Sequence, residues 1–395
     1  MDTIDNSSIN RVNNLSKYVS DLINNGDGRQ LYLKYQDDID KVTPHEVMEI
    51  EYRQLESGLS VEKVLPYVDK LMNVFSKSLS EYKWEKPKKK TFLFYLVKEN
   101  EQVLLKLEEL KKYIKKQDFI NNKEKLIKLI NELESFDSHY QKKENILFPY
   151  FEKKMKKFNG LKIMWELHVQ TRQNYKAIIG LLNNDVMDIQ AINSKIGKLF
   201  FQIYGLVQKE DLILFPIATE IFNFEEFDNM LNQSYEYNFP FIEAPHKKTN
   251  TQDNSDKFNG DFLYKTDTGT MSSNQLLLVL NKLPVDITFI DEKDEVVFFN
   301  NTNDRIFKRS AAIIGRNVRN CHPPKSVHIV ERILQSFKNN EKDMAQFWFT
   351  YNQRDLLITY YALRDDKDRY KGTLEVSQNI TDIKRLQGEK RLIEW

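Results

Sequence analysis

From the N-terminus to about residue 235 the chain contains few prolines or glycines, and its apolar residues recur at intervals of three and four. Leu126, Leu129, Ile130, Leu133, Phe136 and Tyr140 form one such stripe. That spacing lines up side chains on one face of a helix, so this length of chain buries its apolar groups by packing helix against helix. Helices are expected near 10–25, 44–57, 61–80, 91–117, 121–148, 161–184 and 188–212, joined by short loops into an antiparallel bundle.

The pattern then changes. Residues 244–272, APHKKTNTQDNSDKFNGDFLYKTDTGTMS, are polar and lack periodic apolar content, as in an interdomain linker. Beyond about 273, VDITFIDEKDEVVFFN has two apolar runs around a Glu-Lys-Asp-Glu turn, which predicts a hairpin. Short helical pieces follow, then a helix near 326–339, then three β-rich runs with polar turns. Two strands, short helices and three strands make an α+β domain. The fold class is therefore multidomain, an all-α bundle followed by an α+β domain.

With 395 residues the chain is too long for one core. Its net charge of +1 gives no global field for nucleic acid or an anionic membrane, and acidic residues surround the KPKKK run at 86–90. Its single cysteine, Cys321, precludes an intrachain disulfide. The N-terminus has no apolar signal core, and no apolar run is long enough to span a bilayer. A cytoplasmic setting is expected, with no nucleic-acid or membrane partner.

One element occurs twice. KKENILFP at 142–149 returns as QKEDLILFP at 208–216, each placing a glutamate just before an apolar run that ends in Phe-Pro. The two glutamates are Glu144 and Glu210, and the repetition suggests pseudo-twofold halves that face a shared centre. His139 lies five residues before Glu144, about 140° away on a regular helix and closer if the helix carries a π-bulge. His168, in IMWELHVQ, follows Met164 and Trp165 at helical spacing and so faces inward. His139, Glu144, His168 and Glu210 can therefore converge as metal ligands, a set of imidazoles and carboxylates that suits Fe, Mn or Zn.

HYQKKENILFPYFEK, IMWELH and QKEDLILFP resemble the hemerythrin HHE cation-binding family. The likeness is greatest to bacterial members that also carry an N-terminal DUF438 helical domain and a C-terminal PAS domain. EIEYRQLESGLSVEKVLPYVDKLMNVF and the KEN at 98–100 resemble parts of the DUF438 pattern. The resemblance implies a domain division of 1–115 (DUF438-like), 116–240 (hemerythrin-like bundle), 241–272 (linker) and 273–395 (PAS domain with a C-terminal exit helix). It also implies non-haem iron in the bundle.

The departures from that pattern matter as much. Leu71 stands where relatives carry a histidine, KKKTFLFY replaces their Gly-His-Pro, and Leu206 stands where some carry another histidine. Of six histidines, at 45, 139, 168, 246, 322 and 328, only two lie in matching motifs, whereas the family uses about five. Two readings stay open. Either a reduced ligand set still holds metal, or metal binding has been lost and the polar groups pair with one another or with lysines inside the bundle. His45, after Pro44, reads as a first-turn helix residue.

PVDITFIDEKDEVVFFNNTNDRIFKRSAAIIGRNVRNCHPPKSVHIVERIL and the GTLEVSQNIT ending resemble a PAS domain over about 277–388. Such a fold is a curved sheet closed by short helices over a ligand pocket. The expected liners are Phe289, Phe299, Phe307, Cys321, His322, Phe347, Phe349 and Tyr360, with Ile306, Ile333 and Leu374 beside them. The same residues also suit a plain core. In CHPP, 321–324, Cys321 and His322 are possible haem ligands, or they only shape a turn before a helix.

No Walker loop, GxGxxG, nucleophile elbow, kinase or cyclase motif occurs, so no catalytic residue is assigned. The expected function is a sensor or signalling protein, homodimeric through its PAS domain and exit helix and read by a protein partner. The alternatives are a non-haem iron protein that scavenges oxidants or handles iron, and a metal-free interaction scaffold.

Overall fold

The computed structural model describes residues 6–24, 26–114, 122–184, 187–246 and 262–389, and the chain divides into two compact units at 247/248.

The first unit is helical. Its helices are α1 (Asn6–Ile23), α2 (Gly28–Ile39), α3 (Pro44–Glu56), α4 (Val61–Glu81), α5 (Phe92–Ile114), α6 (Lys123–Glu134), α7 (Asp137–Lys142), α8 (Phe148–Lys154), α9 (Leu161–Asn183), α10 (Ile189–Lys209), α11 (Phe215–Ile221) and α12 (Phe224–Ser234). Helix α3 begins with a capping box, in which the Thr43 hydroxyl accepts from Glu46 N–H and Glu46 accepts from Thr43 N–H. His45 lies in its first turn, as expected, and its exposed ring pairs with Glu220 at 2.6 Å.

The span expected as one helix over 121–148 is broken. Helix α6 ends at Glu134, and the Ser135 hydroxyl turns back to the carbonyl of Glu132 at 2.5 Å, a local bond that competes with helix continuation. Helices α2 and α12, also unforeseen, are short and carry narrow apolar stripes, with Tyr35 and Ile39 buried in α2. A single apolar core runs from Val12 to Tyr237 and is continuous across the 115/116 boundary expected between two helical domains. Helix α5 packs on α6, α10 and α12.

Both copies of the repeated element are π-helical turns, at Lys143–Leu147 and Glu210–Leu214, each followed at once by Phe-Pro and a short helix. Phe148 N–H bonds Lys143 O and Phe215 N–H bonds Glu210 O, five residues back. Proline lacks the N–H that a regular helix needs and crowds the carbonyl four residues earlier. The wider turn relieves both conflicts, so Pro149 and Pro216 start new helices.

The second unit is an antiparallel five-stranded sheet in the order β4-β3-β7-β6-β5, from β3 (Asp286–Ile290), β4 (Val296–Phe299), β5 (Met344–Tyr351), β6 (Arg354–Arg364) and β7 (Tyr370–Asn379). Between β4 and β5 lie 3₁₀ turns at Ala311–Ile313 and Val318–Cys321 and helix α14 (Pro324–Lys338). The hairpin, the helix and the three-strand run are as expected.

Two expectations are corrected. The linker's second half is ordered as the hairpin β1 (Leu263–Thr266) and β2 (Gly269–Ser272), followed by α13 (Ser273–Lys282). Exposure along β1 and most of β2 erases the alternation that marks a half-buried strand. Residues 247–261 of that linker lie outside the described residues. The expected exit helix is, over residues up to 389, one 3₁₀ turn at Ile383–Arg385 followed by Gly388 with φ +63°. No helix among the described residues is long and apolar enough to cross a membrane.

Candidate functional site

The interior of the helical unit holds an unbroken chain of charged groups. On α5, Glu99 sends Oε2 to His139 Nδ1 at 2.8 Å, and its Oε1 accepts from the Lys142 ammonium. The other ring nitrogen of His139, Nε2, meets Glu210 Oε2 at 2.8 Å, and Glu210 Oε1 accepts from Lys143. Asn100 Nδ2 donates to Glu210 Oε2 at 3.0 Å and to Asp211 Oδ1 at 3.2 Å. Glu99, Asn100, His139, Lys142, Lys143 and Glu210 are all buried.

A second cluster lies beside the first. His168 Nδ1 meets Glu144 Oε1 at 2.8 Å, and Arg172 grips Glu144 with Nη1 at 2.9 Å and Nη2 at 3.0 Å. The Arg172 Nε reaches Asp137 at 2.5 Å. Aromatic rings hold both imidazoles in place. Phe136 stacks on His139 with centroids 4.5 Å apart, and Tyr140 stacks on His168 at 4.4 Å. The π turns set this geometry, because they shift the phase of the helix where Lys143, Glu144 and Glu210 emerge.

Burial in a low-dielectric interior governs the titration of these groups. It pushes the His168 imidazole well below its usual value, and the nearby Lys143 and Arg172 charges push the same way. Burial alone would raise the Glu210 carboxyl, but Lys143 and His139 hold it well below the carboxylate range. Burial lowers the Lys142 and Lys143 ammonium groups, while Glu99 and Glu210 respectively hold them up. Asp211 is raised to about 6, chiefly by burial.

The structure thus joins the four expected ligands as two pairs, His139 with Glu210 and His168 with Glu144. Among the described residues no group of three or more His, Cys, Asp and Glu is placed to hold a metal ion. The donor chemistry explains why. A ligating imidazole gives one nitrogen to the ion and backs the other with a carboxylate. Both nitrogens of His139 face carboxylates. Every oxygen of Glu99, Glu144 and Glu210 already accepts from a lysine, an arginine, a histidine or Asn100. Among the ring nitrogens of His139 and His168 and the oxygens of these three carboxylates, His168 Nε2 alone lacks a partner, and one nitrogen does not make a site. These residues do not fit an iron centre.

Sequence reasoning missed Glu99, Lys142, Lys143 and Arg172 as members of the cluster. A usable signal was present, since a lysine precedes the glutamate in both repeats. Lys209, the counterpart of Lys143, is also buried and pairs with Glu51 of α3.

In the second unit, strand register assigns the expected pocket liners to faces. Tyr360 pairs with Glu375 and Glu375 with Thr288, while Phe289 pairs with Leu374 and Leu374 with Tyr361. Successive residues on a strand face opposite ways, so Phe289 and Leu374 lie on the face opposite Tyr360. This corrects the expectation that they line the pocket. A Cβ on Gly372 (φ +139°) would lie 2.6 Å from the Phe289 ring, so the ring seats over glycine there.

The inner face carries Ile290 and Tyr360 and is covered by α14 through Val330, Leu334 and Phe337. Phe299 and Cys321 pack with Ile290, and Phe307 and Ile333 pack with Tyr360. Phe347 and Phe349 share the inner face by register but stay more than a third exposed on the edge strand β5. Much of the buried inner face is polar, with Thr288, Thr373, Glu375 and Ser377. Arg309 Nη2 lies 3.6 Å from Glu375 Oε2. His322 is held down to about 4 by burial and by Arg309 and Arg316. Among the described residues its Nε2 has no hydrogen-bond partner. Two guanidinium groups make that environment cationic, which disfavours an iron ion at His322, while Cys321 faces the apolar cluster.

The chain thus consists of a helical unit with an inward histidine–carboxylate cluster and a second unit built on an antiparallel sheet. Family comparison agrees: residues 91–218 match the hemerythrin HHE cation binding domain, and residues 276–381 match the PAS domain. The chain carries one domain of each family. Two crystal structures are similar to parts of it. One is a C-terminal domain from Streptococcus mutans, 31% identical, covering 32% of this chain and 98% of that one with a TM-score of 0.31. The other is a PAS domain from Colwellia psychrerythraea, 15% identical, covering 28% and 97% with a TM-score of 0.23. No curated protein matches the chain.

Proposed function

We propose that this protein is a cytoplasmic sensor in which the PAS domain takes up a small polar ligand and the helical domain takes part in relaying the signal. One observation carries the reading. On the inner face of the sheet, where a merely structural core would be apolar, buried Tyr360 and Glu375 and the partly buried Arg309 and His322 form a polar cluster. Buried polar groups cost free energy unless they are paired, and His322 Nε2 is aligned with no protein acceptor or donor. A ligand with complementary polar groups would satisfy it.

The signal passes by association, through a homodimer built on the PAS domain and through a protein partner. Exposed apolar side chains support this part: Leu277, Leu278 and Val279 on α13, Trp348 on β5, and Phe262, Leu263 and Tyr264 at the hairpin. The test is a thermal-shift and calorimetric screen of small carboxylates, nucleotides and amino acids on the full chain, repeated on His322→Ala and Arg309→Ala. A ligand that binds wild type and loses at least tenfold in affinity in both variants supports the reading. Binding unchanged in both variants overturns it.

A further inference from the structure

We propose that Lys142 and Lys143 are resident cations of the hemerythrin-like domain. Their ammonium groups supply the carboxylates that the sequence marks as ligands with the positive charge a bound metal ion would bring. The domain would then fold, and remain, without metal.

Three observations meet here. First, each carboxylate has its own cation. Glu99 meets Lys142, Glu210 meets Lys143, and Glu144 meets Arg172, which also reaches Asp137. Second, the pairing is complete at the oxygens, so an incoming ion finds no open donor on these carboxylates. Third, the device is repeated, because Lys209 stands before Glu210 as Lys143 stands before Glu144 and is buried against Glu51.

An ammonium group is a compact point charge with three donors, the side chain that best imitates a small cation among carboxylates. A divalent ion added to a cluster whose carboxylates are already paired with cations would bring uncompensated charge into a low-dielectric interior. It would have to expel an ammonium group first. His168 keeps one free nitrogen, backed by Glu144, which is a single donor in a site whose charge is already met.

The experiment uses the full chain purified without a metal-binding tag and loaded separately with Fe(II), Mn(II) and Zn(II). Elemental analysis follows gel filtration, and Tm is read with and without metal. For wild type the expected result is substoichiometric metal and an unmoved Tm. In Lys142→Met/Lys143→Met the bare carboxylates take up at least one equivalent, and metal raises Tm. Should that variant not fold without metal, Lys143→Met/Glu210→Gln removes both charges of one pair and is expected to fold and stay metal-free. Stoichiometric metal in wild type that is lost in Glu210→Gln overturns the proposal. So does a folded lysine double variant that takes up none. Neither result bears on ligand binding by the PAS domain.

Discussion

Both domains bury charge, but they do so differently. In the helical domain each carboxylate of the cluster meets a cation and an imidazole or amide at hydrogen-bond distance. In the PAS domain Arg309 and Glu375 stand 3.6 Å apart, and the Nε2 of His322 meets nothing. A closed set of pairs resists further ligands and ties helices together. An open set leaves polar capacity for a molecule from outside. The contrast teaches that burial of titratable groups points to a ligand site where opposite charges are left loosely paired, and not where, as at His168 Nε2, one open nitrogen sits among carboxylates already met by cations.

The sharpest way to break this contrast is to strand one charge in each domain. Glu210→Leu leaves Lys143 and one face of His139 unpaired in the bundle and is expected to cost about 3–5 kcal/mol in chemical denaturation. Lys143→Met/Glu210→Leu should recover much of that loss. Glu375→Leu in the PAS domain, whose charge is only loosely paired, should cost less, about 1–3 kcal/mol. Equal losses in the two domains would erase the distinction.

A middle-sized effect lies in pH. The His168 imidazole takes a proton near 6.5 in the unfolded chain and resists it in the fold. The unfolded state then binds more protons, so stability falls as pH drops through that value. Glu210 acts in the same direction below 4.5, where the unfolded chain begins to be protonated and the fold does not. Asp211 opposes it between 3.8 and about 6, because there the fold holds the extra proton. Urea unfolding of the helical domain, followed at Trp165, should lose stability between about pH 7 and pH 6. His168→Gln should flatten that part of the profile.

The smallest effect is at the surface. Trp348→Lys should change stability by no more than about 0.5 kcal/mol, since the side chain is 71% exposed. It should nevertheless shift the population from dimer to monomer in light scattering, and a dimer that persists unchanged would move the interface off β5.

Much of this architecture is legible in the sequence, for physical reasons. Long helices with broad apolar stripes, such as α3, α4, α9 and α10, declare themselves by periodicity. The α+β order of the PAS domain follows from its alternating runs and turns. The inward histidines and glutamates were found because each interrupts an apolar neighbourhood. Their partners were not, because lysine on a helix is ordinarily a solvated side chain, and apart from the lysine that precedes each repeated glutamate nothing local distinguishes Lys142 from Lys153 or Lys154. Only the packing of α5 against α7 makes Glu99 a neighbour of Lys142. The faces of the sheet were misjudged at Phe289 and Leu374 because register, which decides them, is set by pairing across strands.

The two π turns have a consequence of their own. Each spends one residue more than a plain helix would over the same rise, and each residue of a helix turns the chain by about 100°. A deletion from a regular helix would rotate everything beyond it by that angle, but removing the extra residue from Lys143–Leu147 would let the turn close to its regular pitch with the flanking segments still in phase. Phe148 and Phe151 would keep their buried places, while Pro149 would confront the carbonyl it now avoids. The extra residue is slack stored at one point of the fold, and the chain can lose it there without losing the alignment of the helix end.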